Sequence, residues 1–150
     1  FQKKNNLDVD GIAGDKTLKA LGINSSGNKG GSTNNSDLNL LTRLVYGEAR
    51  GEPYKGMVAV AATVLNRVSD SRFPNTIAGV IYQSGAYTCV SDGQINLSPN
   101  AQSKKAAQDA INGWDPTYGC IYYFNPSTAT SKWIWSRPQV LTIGKHIFCK

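Results

Sequence analysis

The chain has 150 residues, 40% of them hydrophobic, which is enough for one domain of ordinary size with a single core and an appendage. Lys and Arg number 16 against 10 Asp and Glu, a net charge of +6 that draws a chain to polyanions such as nucleic acid or an anionic cell wall. The basic residues are scattered, adjacent only at Lys3-Lys4 and Lys104-Lys105, which argues against a nucleic-acid partner, and no stretch approaches the ~20 apolar residues of a transmembrane segment.

Residues 1–23 form the first zone. Asp10-Gly11 and Gly14 supply turn chemistry, and Gly14 or Asp15 caps a short helix carrying Thr17, Leu18 and Leu21. Phe1, Gln2, Leu7, Val9, Asp10, Gly11, Gly14, Thr17 and Leu21 resemble the second half of a three-helix peptidoglycan-binding module, a piece too short to bury a core of its own. Residues 24–36 contain no apolar side chain and read as a flexible linker. The folded domain is expected over residues 37–150. A start at Phe1 rather than methionine reads as a piece of a longer secreted precursor.

Asp37 or Ser36 caps a helix running to about residue 49, with Leu38, Leu41, Leu44 and Val45 at helical spacing. At about 100° per residue, Glu48 projects into the middle of that apolar arc, whereas Asn39, Arg43 and Arg50 fall on or near the other side. A carboxyl group so placed must be hydrogen-bonded, open onto a cleft, or keep its proton; the last is what a general acid needs. A structural glutamate near a helix end is the alternative. Gly47 favours chemistry, because a glycine inside a helix costs roughly 1 kcal/mol relative to alanine and implies close approach to the backbone. Gly51 reads as the C-cap, with Pro53 at the first position of the next helix.

That second helix, 53–68, carries Met57, Ala61, Val64, Leu65 and Val68 on one face. A short helical segment follows over 75–83, and Ser98-Pro99 opens another helix with Ala107, Ala110, Ile111 and Trp114 as its apolar face. After Gly113 the period shifts, and 120–124, 133–136 and 147–149 favour short strands. The expected class is therefore α+β, helix-dominated, with a small late β-sheet whose aromatics wall a cleft facing Glu48. Cys89, Cys120 and Cys149 allow at most one internal disulfide or serve as buried small hydrophobes. With no Cys-x-x-Cys and His146 the single histidine, no metal and no cofactor is expected. His146 reads as a structural or surface residue.

Five ordered motifs, Tyr46-Gly47-Glu48-Ala49-Arg50-Gly51-Glu52-Pro53, Val64-Leu65-Asn66-Arg67-Val68, Asp92-Gly93-Gln94-Ile95, Tyr122-Tyr123-Phe124-Asn125-Pro126 and Ile143-Gly144-Lys145-His146-Ile147-Phe148, together resemble the spore cortex-lytic cell-wall hydrolase family, in particular its germination-specific lytic transglycosylase branch. The resemblance covers residues 37–150. It implies a lysozyme-like catalytic domain, secretion to the spore cortex or inner spore envelope, and cleavage of the MurNAc-GlcNAc bond of peptidoglycan glycan strands during germination. It also implies one catalytic glutamate, which maps onto Glu48, and control by an accessory regulatory protein. A monomer is expected.

Aromatic faces stack on pyranose rings while amides bond hydroxyl and N-acetyl groups. Among Tyr122, Tyr123, Phe124, Asn125, Trp133 and Trp135, the motif match favours Tyr123, Asn125 and Trp133 as sugar contacts, and it adds Tyr46 and Gln94. Glycosidases usually need two carboxylates, and Glu52, Asp92 and Asp70 are candidates for a second. A lytic transglycosylase needs one, because the muramyl O6 hydroxyl attacks C1 and leaves a 1,6-anhydro end. A muramidase using water, or a peptidoglycan-binding protein with a structural Glu48, are the competing readings.

Overall fold

The computed structural model describes the backbone of Asp10–Ala13, Thr17–Lys19, Gly22–Ser25 and Gly27–Gly30 and the whole of residues 34–150. The chain divides into two units, Phe1–Leu38 and Asn39–Lys150. In the first, β1 (Asp10–Ala13) pairs antiparallel with β2 (Thr17–Lys19), and β3 (Gly22–Ser25) with β4 (Gly27–Gly30). Thr17 thus lies in a strand rather than in the expected helix, since a helix of one or two turns cannot offset its nucleation cost. The tract expected as a flexible linker contributes to the β3–β4 ladder, its Gly and Asn residues being turn formers. The expectations at Gly14, Asp15 and Leu21 lie outside the described residues.

Helix α1 (Asn35–Ala49) is capped by neither Asp37 nor Ser36 but by Asn34, whose Oδ1 accepts the Asp37 amide at 2.9 Å. Asn is as good a cap as Asp, and Asp37 then occupies the first turn, where its charge suits the helix dipole. Leu41, Leu44, Val45 and Ala49 are buried. Gly51, at φ +87°, ends the helix as expected. Pro53 is the N-cap of α2 (Tyr54–Ser69) rather than its first residue, with φ −55° and ψ 152°.

Gly56 to Val64 of α2 are buried without interruption, the signature of a helix enclosed on every side. The one hydroxyl in that run, Thr63 Oγ1, donates to the Val60 carbonyl at 2.7 Å and so carries no unmet bond into the core. Two short helices follow, α3 (Ile77–Ile81), capped by Thr76, and α4 (Thr88–Ser91), then a 3-10 turn Gln94–Asn96. Helix α5 (Ala101–Ile111) packs along α2. Its buried side chains are Ser103, Ala106, Ala107 and Ala110, facing an α2 rich in alanine, so small residues let the two backbones approach. Asn100, not Ser98-Pro99, opens α5 by accepting the Ser103 amide at 2.8 Å. The helix stops at Ile111 and leaves Trp114 exposed beyond it, so Trp114 is not part of its apolar face.

The late sheet has the order β5 (Tyr122–Phe124), β7 (His146–Cys149), β6 (Gln139–Ile143), all antiparallel. Residues 133–136, expected as a strand, form helix α6 (Lys132–Ser136), because Ser131 Oγ accepts the Ile134 amide and nucleates a turn. The third strand is instead Gln139–Ile143, whose Val140, Leu141, Thr142 and Ile143 are good strand formers. The sheet is tied to the end of α2 by Asn66 Nδ2, which donates to the Cys120 carbonyl at 2.9 Å, and by Arg67 Nε, which donates to the Ile121 carbonyl at 2.6 Å. All three cysteines are buried free thiols.

Ile143 pairs with His146 across the β6–β7 turn, in which Gly144 has φ +58°. The Lys145 amide donates to Glu52 Oε1 at 2.9 Å, and a Cβ on Gly144 would lie 2.2 Å from that same oxygen and 2.8 Å from Pro53 Cδ. Glycine is required there on both grounds. Gly144→Ala is expected to destabilise the domain by about 1–3 kcal/mol, read as a lower urea midpoint at unchanged slope; a loss below ~0.5 kcal/mol, the level of a surface change, would contradict this packing.

Candidate active site

Glu48 stands half-buried on the last turn of α1. Its Oε1 accepts the Tyr123 hydroxyl at 2.6 Å and its Oε2 accepts the Cys89 backbone amide at 3.1 Å. Three elements therefore converge on one carboxylate: α1, the start of α4 and β5. A carboxylate offers about four acceptor positions, so the hydroxyl and the amide do not exhaust Glu48, which the Cys89 thiol also meets.

The close approach inferred at Gly47 is made by Cys89. A Cβ on Gly47 would lie 2.8 Å from Cys89 Cβ and 3.0 Å from its Sγ, distances that real side chains do not tolerate. Only a glycine lets α4 come near enough for the Cys89 amide to reach Glu48. Burial first, then the Glu48 charge, push the Cys89 thiol up to about 12, which keeps it neutral. Burial, reinforced by the Glu48 charge, holds the Tyr123 phenol well above its ordinary range, so Tyr123 stays protonated as a donor to Glu48. Tyr87, buried beside them, is likewise raised to about 12, chiefly by burial.

Tyr46 and Gln94 are joined through Arg50. The Arg50 guanidinium sits 5.0 Å from the Tyr46 ring centre and donates to Gln94 Oε1. Gln94 in turn donates its backbone amide to Asp92 Oδ1 at 3.0 Å and Nε2 to Oδ2 at 2.8 Å. Its backbone passes 3.8 Å from the Cβ position of Gly47, which places this strip beside the Glu48 turn. Asn125 is a turn former: its Oδ1 accepts the Ser127 amide at 2.9 Å and its carbonyl accepts the Ala129 amide. Trp133 lies exposed on α6, edge-on to Tyr122 at 5.0 Å. Alternation along β5 puts Tyr122 on the face opposite Tyr123, so Trp133 is not gathered at Glu48. Tyr123 is.

The three candidates for a second carboxylate are committed elsewhere. Asp92 is held below its ordinary range by the amide and side chain of Gln94. Asp70 is lowered by Arg72, which meets it at 2.9 and 2.7 Å. Glu52, with a side chain only 7% exposed, turns onto the Lys145 amide and lies 3.9 Å from His146 Nδ1. A cavity of about 380 Å³ lined by Asn39, Thr42, Arg43, Pro99, Asn100, Ala101 and Lys104 lies on the side of α1 away from Glu48 and contains no carboxylate. Among the described residues no group of three or more His, Cys, Asp or Glu is placed to hold a metal ion, and no helix is long and apolar enough to cross a membrane.

Cys89, Tyr87, Arg67 and His146 are the site residues that sequence reasoning missed. The Gly47 signal indicated an approach but not its source. His146 is buried, with its ring 4.9 Å from that of Tyr123; its spacing resembled that of any inward strand residue.

Residues 51–149 match the cell wall hydrolase family model, a range that begins three residues after Glu48, and residues 1–21 match a peptidoglycan-binding domain model. A spore cortex-lytic enzyme of Bacillus cereus is 51% identical over all of this chain and 70% of its own length. The crystal structure of the catalytic domain of the Bacillus cereus SleB protein superposes with a TM-score of 0.77 at 62% identity, covering 80% of this chain and 94% of that one. The catalytic domain of the germination-specific lytic transglycosylase SleB from Bacillus anthracis gives 0.76 at 61% identity, covering 80% and 98%. With the helical fold, the small late sheet and the ordered motifs all in agreement, the chain belongs to the cell wall hydrolase family that includes the spore cortex-lytic enzymes.

Proposed function

We propose that this chain is a lytic transglycosylase that cleaves the MurNAc-GlcNAc bond of spore cortex peptidoglycan, with Glu48 as its single acid–base group. The observation that carries the reading is the environment of Glu48: a half-buried carboxylate held by a neutral hydroxyl, a backbone amide and a neutral thiol, with no permanent cation on it. Protonated Glu48 donates to the glycosidic oxygen as the C1–O bond breaks and charge develops at C1. The resulting carboxylate takes the proton of the muramyl O6 hydroxyl as O6 closes on C1. The protein ends as it began, and no water is consumed.

Disposal of the other carboxylates supports one-acid chemistry. A hydrolytic route needs a second carboxylate about 5 Å from the first for retention, or farther for inversion, and free to act on C1 or a water. Asp92 is bonded to Gln94 at both oxygens, and Asp70 to Arg72. Glu52 is buried against the β6–β7 turn. Tyr46 and Gln94, next to the Glu48 turn, and Tyr123 are the sugar contacts this reading favours; Asn125 and Trp133 would serve more distant rings.

Glu48→Gln should leave the fold and glycan binding intact and lower turnover by about 10² to 10⁴; retention of more than a few per cent of activity would remove Glu48 from the acid role. Muropeptides released by the wild type should carry 1,6-anhydromuramyl ends, seen by mass spectrometry as one water lighter than reducing ends, and Glu52→Gln and Asp92→Asn should only weaken activity. Reducing ends that take up labelled oxygen, together with near-complete loss in one of those two variants, would make the enzyme a muramidase. Release of neither kind of end would make it a binding protein. Gly47→Ala should reduce kcat by roughly 10-fold or more by displacing the Cys89 amide, since misplacement of catalytic groups by about 1 Å is that costly; full activity would show that the Cys89–Glu48 bond is dispensable.

A further inference from the structure

Two buried side-chain polar atoms have no hydrogen-bond partner among the described residues, Tyr87 Oη and His146 Nδ1. His146 is the more informative, because its surroundings join two carboxylates. Its ring packs edge-to-face on Tyr123, with centroids 4.9 Å apart and planes at 64°, and Tyr123 donates to Glu48. Its Nδ1 faces Glu52 Oε1 at 3.9 Å, beyond hydrogen-bond range. Glu52 itself is pinned by the Lys145 amide in the turn that only Gly144 permits. An unbroken set of contacts therefore runs Glu52, His146, Tyr123, Glu48, and no part of the acid–base step uses its first two members.

We propose that His146, backed by Glu52, is a positioning residue for the Glu48 chemistry: neutral, it buttresses Tyr123 against Glu48; protonated, it closes onto Glu52 and withdraws from Tyr123. The proposal rests on the reading of Glu48 as the acid. Closing 3.9 Å to the roughly 2.8 Å of a charge-assisted bond requires a shift of about 1 Å, comparable to the misplacement that impairs catalysis. The groups facing His146 are Glu52 from the α1–α2 turn, Glu48 from α1, Tyr123 from β5 and the uncharged Phe148 from its own strand; Lys145 beside it is exposed. Burial lowers the proton affinity of His146, and the charges of Glu52 and then Glu48 oppose that lowering. A base depressed in the folded state is neutral at pH 7 and takes up its proton only below its ordinary value of 6.5. Both the buttress and the stability it confers should therefore fade as pH falls through that window.

The test uses the whole chain, with kcat and KM on cortex glycan measured over about pH 5 to 8 for the wild type, His146→Gln, Glu52→Gln and Glu48→Gln. In the wild type, kcat should fall on the acid side with a midpoint below 6.5 that matches the ring titration of His146, followed by NMR without ambiguity because the chain has one histidine. His146→Gln should lose roughly 3- to 30-fold in kcat at neutral pH with KM nearly unchanged, and should lack that acid limb. Glu52→Gln should move the His146 midpoint further down. A His146→Gln profile parallel to the wild type, or a midpoint indifferent to Glu52→Gln, overturns the proposal even if melting temperature drops. Should His146→Gln not fold, the wild type still decides: Tyr123 ring resonances that do not follow the His146 midpoint overturn it. Retained activity in Glu48→Gln would defeat the acid assignment itself, whereas an inactive Glu48→Gln beside a wild-type-like His146→Gln defeats only the positioning role.

Discussion

Arg67 fixes the relation between helices and sheet on which the site depends. It is 8% exposed, donates Nε to the Ile121 carbonyl at 2.6 Å, and has its guanidinium 5.2 to 5.3 Å from the ring centres of Phe73, Tyr87 and Tyr122. Burying a cation is costly unless hydrogen bonds and aromatic faces replace its water, and each such face contributes about 0.5–2 kcal/mol. The aromatics around it are therefore held in place as much as they hold Arg67. Two of the elements it touches lead directly to Glu48: Ile121 precedes Tyr123 by two residues, and Tyr87 precedes Cys89 by two. Both donors to Glu48 are thus set by the grip of one buried side chain at the end of α2.

Four carboxylates received different fates from their neighbours, and those fates separate the group proposed as the acid from the others. Asp70 faces a guanidinium, Asp92 a primary amide and its backbone, and Glu52 a turn amide and an imidazole. Glu48 meets a phenol and an amide, both neutral, and remains partly open. A guanidinium partner would have locked it as an anion. Chain position gives no such ranking, since Glu48 and Glu52 are one helical turn apart in sequence. Gly51 breaks that turn, and the break sends the two side chains to different walls.

Legibility in the sequence followed the range of the interaction. The α1 stripe, the Gly51 cap and the placement of Glu48 follow from periodicity and local backbone preference, and all are present; α2, expected to have one apolar face, is enclosed on every side from Gly56 to Val64. Errors arose where a short segment is decided by its surroundings. Residues 133–136 are aromatic and look strand-like, yet a Ser131 cap and the packing of Trp135 on Phe124, with ring centroids 4.8 Å apart, make them helical. Gln139–Ile143 is pleated because β7 lies beside it. The Cys89 contribution is a backbone amide, invisible to any search over side-chain types. Only Gly47, by what it lacks, records it.

The site is built from few charged contacts, although the chain carries a net charge of +6. Among the described residues, the ion pairs are Arg72 with Asp70 and the 3.9 Å approach of His146 to Glu52; neither places a permanent cation on Glu48. Neutral donors favour the anion less strongly than a permanent cation does, and in the proposed mechanism that difference lets Glu48 give up its proton and recover it within one turnover. A Lys or Arg in the same position would favour the anion more strongly and, in that proposed mechanism, oppose the first proton transfer. Excess basic charge attracts a polyanion from a distance without placing a cation on the proposed acid.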